Sequence, residues 1–380
     1  MKKINRLVEL LAASIFIFCA TSSTSNFTIE DVEFYSNDTP LSGSIVLPKN
    51  GQITAAVVFI HGSGRQERNL EIAQRFASQG IAALVYDKRG VGKSEGIYVQ
   101  DGNISEKNLN LLADDAVAAI EILHKNKSVK GLPVGFVGIS QAGWIAPLAA
   151  VKSPITRFLG LWSGPVCKVS EEDIYSKYTS DQDLDQLPSF EYVQKTMKEP
   201  YIWPERFGKD IDPSESLLEL DIPGLWIFGG KDGSIPVDLS ISRLKLLVNK
   251  GKQNYEYVIL SGLGHENIDL TFSTMTSWIK RTINKKVVSA KFNTLKSEEL
   301  DKYLGIYVSS APPIRVSLTK EDTNLILETK GEIFKLEFMG NNNFYNHQDG
   351  YGYYFFEFYP NEENLIIKEH GNMYILKKEY

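Results

Sequence analysis

The chain has 380 residues, 43% hydrophobic and 23% charged, which is enough apolar content for a full core and enough length for two domains. Forty-one basic residues against 47 acidic ones leave a net charge of -6, which excludes a general nucleic-acid footprint. Only two cysteines occur, Cys19 and Cys167, too few for a disulfide-built scaffold, and a core of this size does not need one.

The chain opens on MKKINR followed by LVELLAASIFIFCA, a basic start and a short apolar stretch. Residues 1–22 read as a secretory leader, so a periplasmic or extracellular protein is expected. Its apolar part, Leu10 to Ala20, is too short to span a bilayer. Membrane anchoring is expected only if Cys19 is lipidated, and Phe18 stands where bacterial lipoprotein leaders carry a small residue.

TIEDVEFYSND and LSGSIVLP follow as two strands with a turn at Asn37 to Pro40. AAVVFIHG is a buried strand, NLEIAQRFASQG a helix stopped by Gly80, and IAALVYD another buried strand. LLADDAVAAIEILHKN has apolar residues at helical spacing. PVGFVGI then delivers Ser140, and QAGWIAPLAAV opens a helix. RFLGLWSG, PGLWIFGG and YEYVIL are further strands, DLSISRLKLLVN and DLTFSTMTSWIKRTI further helices. Short apolar strands alternating with helices predict a mostly parallel sheet covered on both faces.

From Gly164 to about Leu220 the alternation breaks into a polar, acidic, aromatic segment, read as a partly helical cap insertion. Its acids Glu171, Glu172, Asp173, Asp181, Asp183 and Asp185 are candidates to meet a cationic substrate, although such a run is more often a solvated face. Near Asn284 a charged linker begins. Eight short alternating segments follow, from IYVSS to MYILKKEY, which predict an antiparallel barrel or sandwich. The expected divisions are 1–22, 27–284 and 292–380.

Ser140 sits at the junction of a buried strand and a helix, where a serine serves either as an N-cap or as a nucleophile on a sharp turn. A serine hydroxyl needs a base and a group that orients the base. His265, in a glycine-flexed loop after YEYVIL, is the best-placed base. Asp232, two residues past the glycines of PGLWIFGG, is the acid preferred over Asp238, which reads as the N-cap of the next helix. A negative oxygen formed in acyl transfer needs fixed N–H donors. The backbone amides of Gln141 and Ser63 are the candidates. GVGKS is not a phosphate loop, because Asp87 stands where its first glycine is required. No HExxH or paired-cysteine pattern marks a metal site, and no cofactor is expected. Trp144, Trp162 and Trp203 read as core or cap residues.

HGSGRQERN, YDKRGVGKSEG, GISQAG, GGKDGSIP and GLGHEN, in this order, resemble the α/β-hydrolase superfamily, most closely bacterial esterases near its serine aminopeptidase and prolyl-oligopeptidase branches. The departure is Ala142 where G-x-S-x-G has its second glycine. The tail from ELDKYLGIY more loosely resembles the lipocalin-like β domain that follows some bacterial serine hydrolases. The resemblance implies an α/β-hydrolase sheet with a cap and a C-terminal β domain, and an exported serine hydrolase acting on a small-molecule acyl ester. Peptide or thioester cleavage uses the same machinery, and a non-catalytic binding protein is the remaining alternative.

Overall fold

The computed structural model of the chain describes residues 26–283 and 295–379, apart from 101, 253, 311, 341, 349–351, 360–362 and 370–371. The expected leader with Cys19, and the linker after Asn284, lie outside the described residues.

The first sheet begins with a hairpin of β1 (Phe27–Ser36) and β2 (Thr39–Pro48). Ser36 faces Thr39, so the turn is the pair Asn37-Asp38. Both have positive φ, 45° and 65°, as a two-residue hairpin turn requires and as Asn and Asp tolerate. Next come β3 (Ala55–Ile60), α1 (Leu70–Ser78), β4 (Ile81–Tyr86), α2 (Glu106–Lys125), β5 (Val134–Ile139), α3 (Ala142–Lys152) and β6 (Thr156–Trp162). The insertion carries α4 (Val169–Thr179), α5 (Phe190–Thr196) and α6 (Pro213–Glu219). The sheet resumes with β7 (Gly224–Gly229), α7 (Val237–Asn249), β8 (Tyr255–Leu260) and α8 (Ile268–Ile283).

The strand order is β1-β2-β4-β3-β5-β6-β7-β8, antiparallel through β2–β4 and parallel thereafter. Every residue of β3, β4, β5 and β7 is buried. One face packs on α2, α3, α6 and α7 through Leu109, Ile120, Ile145, Leu217 and Leu244. The other packs on α1 and α8 through Phe76, Phe272 and Trp278. Each such side chain contributes about 1.5–3 kcal/mol. Because β4 and β5 lie on opposite sides of β3, the connections diverge there. The crevice that results lies beyond the carboxyl ends of β3 and β5, where sheets of this kind bind ligands.

The insertion is not all cap. α4 and α5 share a small cluster of their own, Tyr175, Phe190 and Val193. Leu217 of α6 instead joins the main apolar layer with Ile211. The segment expected as cap to residue 220 therefore returns to the sheet's helical cover with α6.

The C-terminal domain is a closed antiparallel barrel: β9 (Gly305–Ser310), β10 (Pro313–Glu321), β11 (Asn324–Thr329), β12 (Glu332–Gly340), β13 (Asn343–Gln348), β14 (Gly352–Tyr359), β15 (Asn364–Glu369) and β16 (Asn372–Glu379). β16 closes the ring on β9. Alternate residues fill the inside: Val316 and Leu318, Leu325 and Leu327, Phe334 and Leu336, Phe356 and Phe358. Tyr303, from the 3-10 turn Ser297–Tyr303, packs against them, its ring 5.0 Å from those of both Phe344 and Phe358.

Candidate active site

Ser140 follows β5 with φ 56°, a left-handed conformation that a residue with a β-carbon adopts at a cost. Its N–H donates to Trp162 O (3.0 Å) and its carbonyl accepts from Gly143 N (2.8 Å), which pins the turn to β6 and to the start of α3. α3 begins at Ala142 with Gln141 as its cap residue, and no side chain caps it. The N-cap alternative for Ser140 is thus not what the turn displays. Close packing explains the glycine spacing. A β-carbon on Gly138 would lie 2.5 Å from both the Ala142 β-carbon and Ile60 O. The missing methyl at Gly138 makes room for the one that Ala142 brings.

His265 and Asp232 lie on the loops after β8 and β7. The Asp232 carboxylate, 0% exposed, spans His265 Nδ1 at 2.9 and 3.0 Å. Its Oδ1 also accepts the N–H groups of Ser234 (2.9 Å) and Ile235 (3.2 Å). A carboxylate only accepts, so Nδ1 carries the hydrogen and Nε2 is left as the basic nitrogen. Burial lowers the affinity of His265 for a proton, but the hydrogen bond and charge of Asp232 outweigh it and raise its pKa above the usual histidine value.

Ser63 lies on the loop after β3. A β-carbon on Gly62 would sit 3.5 Å from that of Ser140, so the candidate oxyanion loop passes directly beside the serine. Gln141, 2% exposed, follows Ser140 on the other side. Asp238 departs from expectation. Pro236 is the cap residue of α7, and Asp238 lies in its first turn with its carboxylate accepting Phe190 N of α5 (3.0 Å). It secures a cap helix, not its own.

The six cap acids also separate. Glu171 pairs with Arg243 (2.7 Å), Asp173 with Lys177 (2.6 Å) and Asp185 with Lys231 (2.7 Å). Asp183 braces the histidine loop by accepting His265 N (3.0 Å), an approach that Gly264 permits, since a β-carbon there would overlap the Asp183 carboxylate. Glu172 lies close enough to Asp181, Asp173, His265 and Asp232 to feel their charges. Burial first, then Asp181 and Asp173, push its pKa up to about 8.

Several supports have no signal in the sequence. Ser163, at φ 43° after β6, donates to His265 O (2.8 Å) and accepts from Asn267 Nδ2 (2.9 Å). Lys88 reaches under the Ser63 loop. His61 is buried against Tyr86 and held neutral, its pKa lowered to about 3 by burial and then by the charge of Lys88, so it is no rival base. Trp144 and Trp162 are buried core residues, as expected. Among the described residues, no group of three or more His, Cys, Asp or Glu side chains could hold a metal.

Residues 51–186 match the family model described as serine aminopeptidase, S33. An esterase of Pyrococcus furiosus superposes with a TM-score of 0.50 at 18% identity, covering 68% of this chain and 90% of that one. The first sheet, with its two helical layers, has the α/β-hydrolase fold. An acylaminoacyl peptidase of Pyrococcus horikoshii shares the hydrolase fold too, with a TM-score of 0.52 and 18% identity over 73% of this chain and 44% of that one. Esterase EstD of Thermotoga maritima is 25% identical over 249 residues, 59% of this chain and 57% of that protein. The match thus spans little more than half of EstD's length. The α/β sheet and its helices account for the likenesses in fold.

Proposed function

We propose that the protein is an exported serine hydrolase that cleaves a carboxylic ester of modest size. The observation that carries this reading is the Asp232 carboxylate spanning His265 Nδ1 on loops at the same sheet edge as the strained Ser140 turn. In this reading Ser140 Oγ attacks the acyl carbonyl while His265 Nε2 takes its proton. Asp232 orients His265 and stabilises its charged form. The N–H groups of Ser63 and Gln141 receive the oxyanion. Collapse expels the alcohol, which takes the proton from His265 and leaves an acyl-enzyme. Water activated by His265 then attacks the acyl group, and the carboxylic acid is released.

A fluorophosphonate probe is expected to label the wild type and not Ser140→Ala. Asp232→Asn is expected to lower kcat by about 10⁴-fold, as for a buried acid that fixes a histidine tautomer. Equal labelling of Ser140→Ala would sink the reading. Export rests on the composition of residues 1–22, and mass spectrometry of the mature N-terminus in a fractionated host tests it.

Glu172 favours a second reading. Glu172 lies within electrostatic reach of the His265–Asp232 pair, and a substrate ammonium placed against it would draw its raised pKa down and be held by the carboxylate that results. Turnover of aminoacyl anilides in preference to acyl esters, lost in Glu172→Gln, would select it. An acyl thioester assayed in parallel covers the remaining use of the same machinery.

A further inference from the structure

Lys88 follows β4 in the segment YDKRG, and only 4% of it is exposed. Its Nζ donates to Gly62 O (2.7 Å), Gly64 O (3.1 Å) and Gln141 Oε1 (3.0 Å). An ammonium has three hydrogens, so its donors are fully used, and all three acceptors are neutral oxygens. A buried charge is costly to hold this way, and an apolar chain of equal length would fill the space without that cost.

The acceptors show what the charge is for. The carbonyl of Gly62 and the N–H of Ser63 belong to one peptide unit, and in a trans peptide they point in opposite directions. A cation on the carbonyl turns the N–H to the far side and polarises it, because hydrogen bonds in a chain strengthen one another. The same ammonium grips the side chain of Gln141, whose own N–H is the other candidate donor. We propose that Lys88 is a positioning residue for the oxyanion pocket, tying the Ser63 loop to Gln141 and aiming both backbone donors from behind. This inference rests on the serine hydrolase reading.

A charge that does this work leaves a mark on the pH profile. Burial lowers the pKa of Lys88 to about 8. The charged and titratable groups around it are His61 just after β3, Asp87 and Arg89 beside it in the chain, and Tyr98, which lines the same cavity. His61 is neutral above about 3. Burial pushes Asp87 up, but Arg68 outweighs that and holds it at about 2. Arg89 is paired with Asp115. Among these groups Lys88 is the one that changes charge just above neutrality; Glu172, also at about 8, lies by the His265–Asp232 pair instead, and Lys88→Met separates the two. Its ammonium is complete below that value and lost as pH rises through it, so kcat should fall on the alkaline side.

The test uses the full chain, p-nitrophenyl acetate and the fluorophosphonate probe, with thermal unfolding as the check on folding. Lys88→Met is expected to lose about 100-fold or more in kcat with KM little changed, as for loss of an oxyanion donor, and to lose the alkaline limb. Gln141→Glu, which gives the ammonium a carboxylate partner, should move that limb to higher pH. A folded Lys88→Met with the kcat and pH profile of the wild type overturns the proposal while leaving the hydrolase reading intact. Should Lys88→Met not fold, a folded Gln141→Met, which cuts the tie to the ammonium and keeps the Gln141 backbone N–H, overturns it equally if its kcat is that of the wild type. A wild type that is neither labelled nor active overturns both readings together.

Discussion

Ser140 spends backbone strain to stand clear of the sheet, and the residues beside it are chosen by space. Gly138 is bare so that Ala142 can approach, and Ala142 is small enough to take the place of the glycine usual in this turn. In the proposed mechanism the chemistry then depends on His265 being neutral when it acts as base. Its pKa is raised, so kcat/KM should fall as pH drops through a value above the ordinary histidine range. Asp232→Asn removes the two largest upward causes, so the acid limb should move to lower pH. A pH series of kcat/KM on both proteins measures the displacement. The same shift acts on stability with opposite sign. Protonated His265 adds to folded stability in full below its unfolded value of about 6.5, and that gain disappears as pH rises through the folded value.

At the scale of elements, the loops after β3, β5, β7 and β8 carry the candidate site, and the cap is fastened to α7 and to the loop after β8. Asp238→Ala frees the first N–H of α5 and should cost about 0.5–2 kcal/mol, the usual range for a lost cap. It should raise KM for bulky esters more than it lowers kcat, and stay far below the penalty of Asp232→Asn. Urea unfolding and steady-state kinetics on the two variants check this ranking. The strands were legible in the sequence because β3, β4, β5 and β7 are buried on both faces and read as continuous apolar runs. That Asp232 and His265 stand together at this sheet edge was legible for a related reason, since each stands a few residues past such a run. Lys88, Ser163, Asn267 and Asp183 were not. Their roles exist only where loops from distant parts of the chain meet across the sheet edge, and no local pattern encodes that meeting. Asp238 was misread for the opposite reason. An acid at a helix start matches the capping pattern, but its carboxylate turns to α5, 48 residues earlier in the chain.

At the scale of the whole molecule, two cores are built by separate stretches of chain. Residues up to Ile283 complete the α/β sheet and both its helical layers, and the barrel encloses an apolar cluster drawn from Leu300 onward. None of Ser63, Ser140, Gln141, Asp232 and His265 comes from the barrel. A chain ending at Ile283 should therefore keep fluorophosphonate labelling at Ser140 and turnover of a small activated ester, with its own cooperative thermal transition. A soluble, folded truncation without labelling would show that the barrel completes the site.

Closure of the barrel also decides how the protein meets other copies of itself. A strand at a sheet margin offers unpaired amides and carbonyls to any neighbour, and a ring has no such margin. Among the described residues, accidental strand-to-strand aggregation is left to the two rims of the α/β sheet. β1 exposes Glu30, Asp31 and Glu33, and a second copy laid against that rim would meet its own negative charge. β8 is guarded differently. Its Glu256 is engaged by Arg281, while Ile259 stands 41% exposed beside it. Each rim sets exposed apolar side chains beside charge, Ile29 and Tyr35 on β1 and Ile259 on β8, and each therefore relies on its acids to keep crowded copies apart.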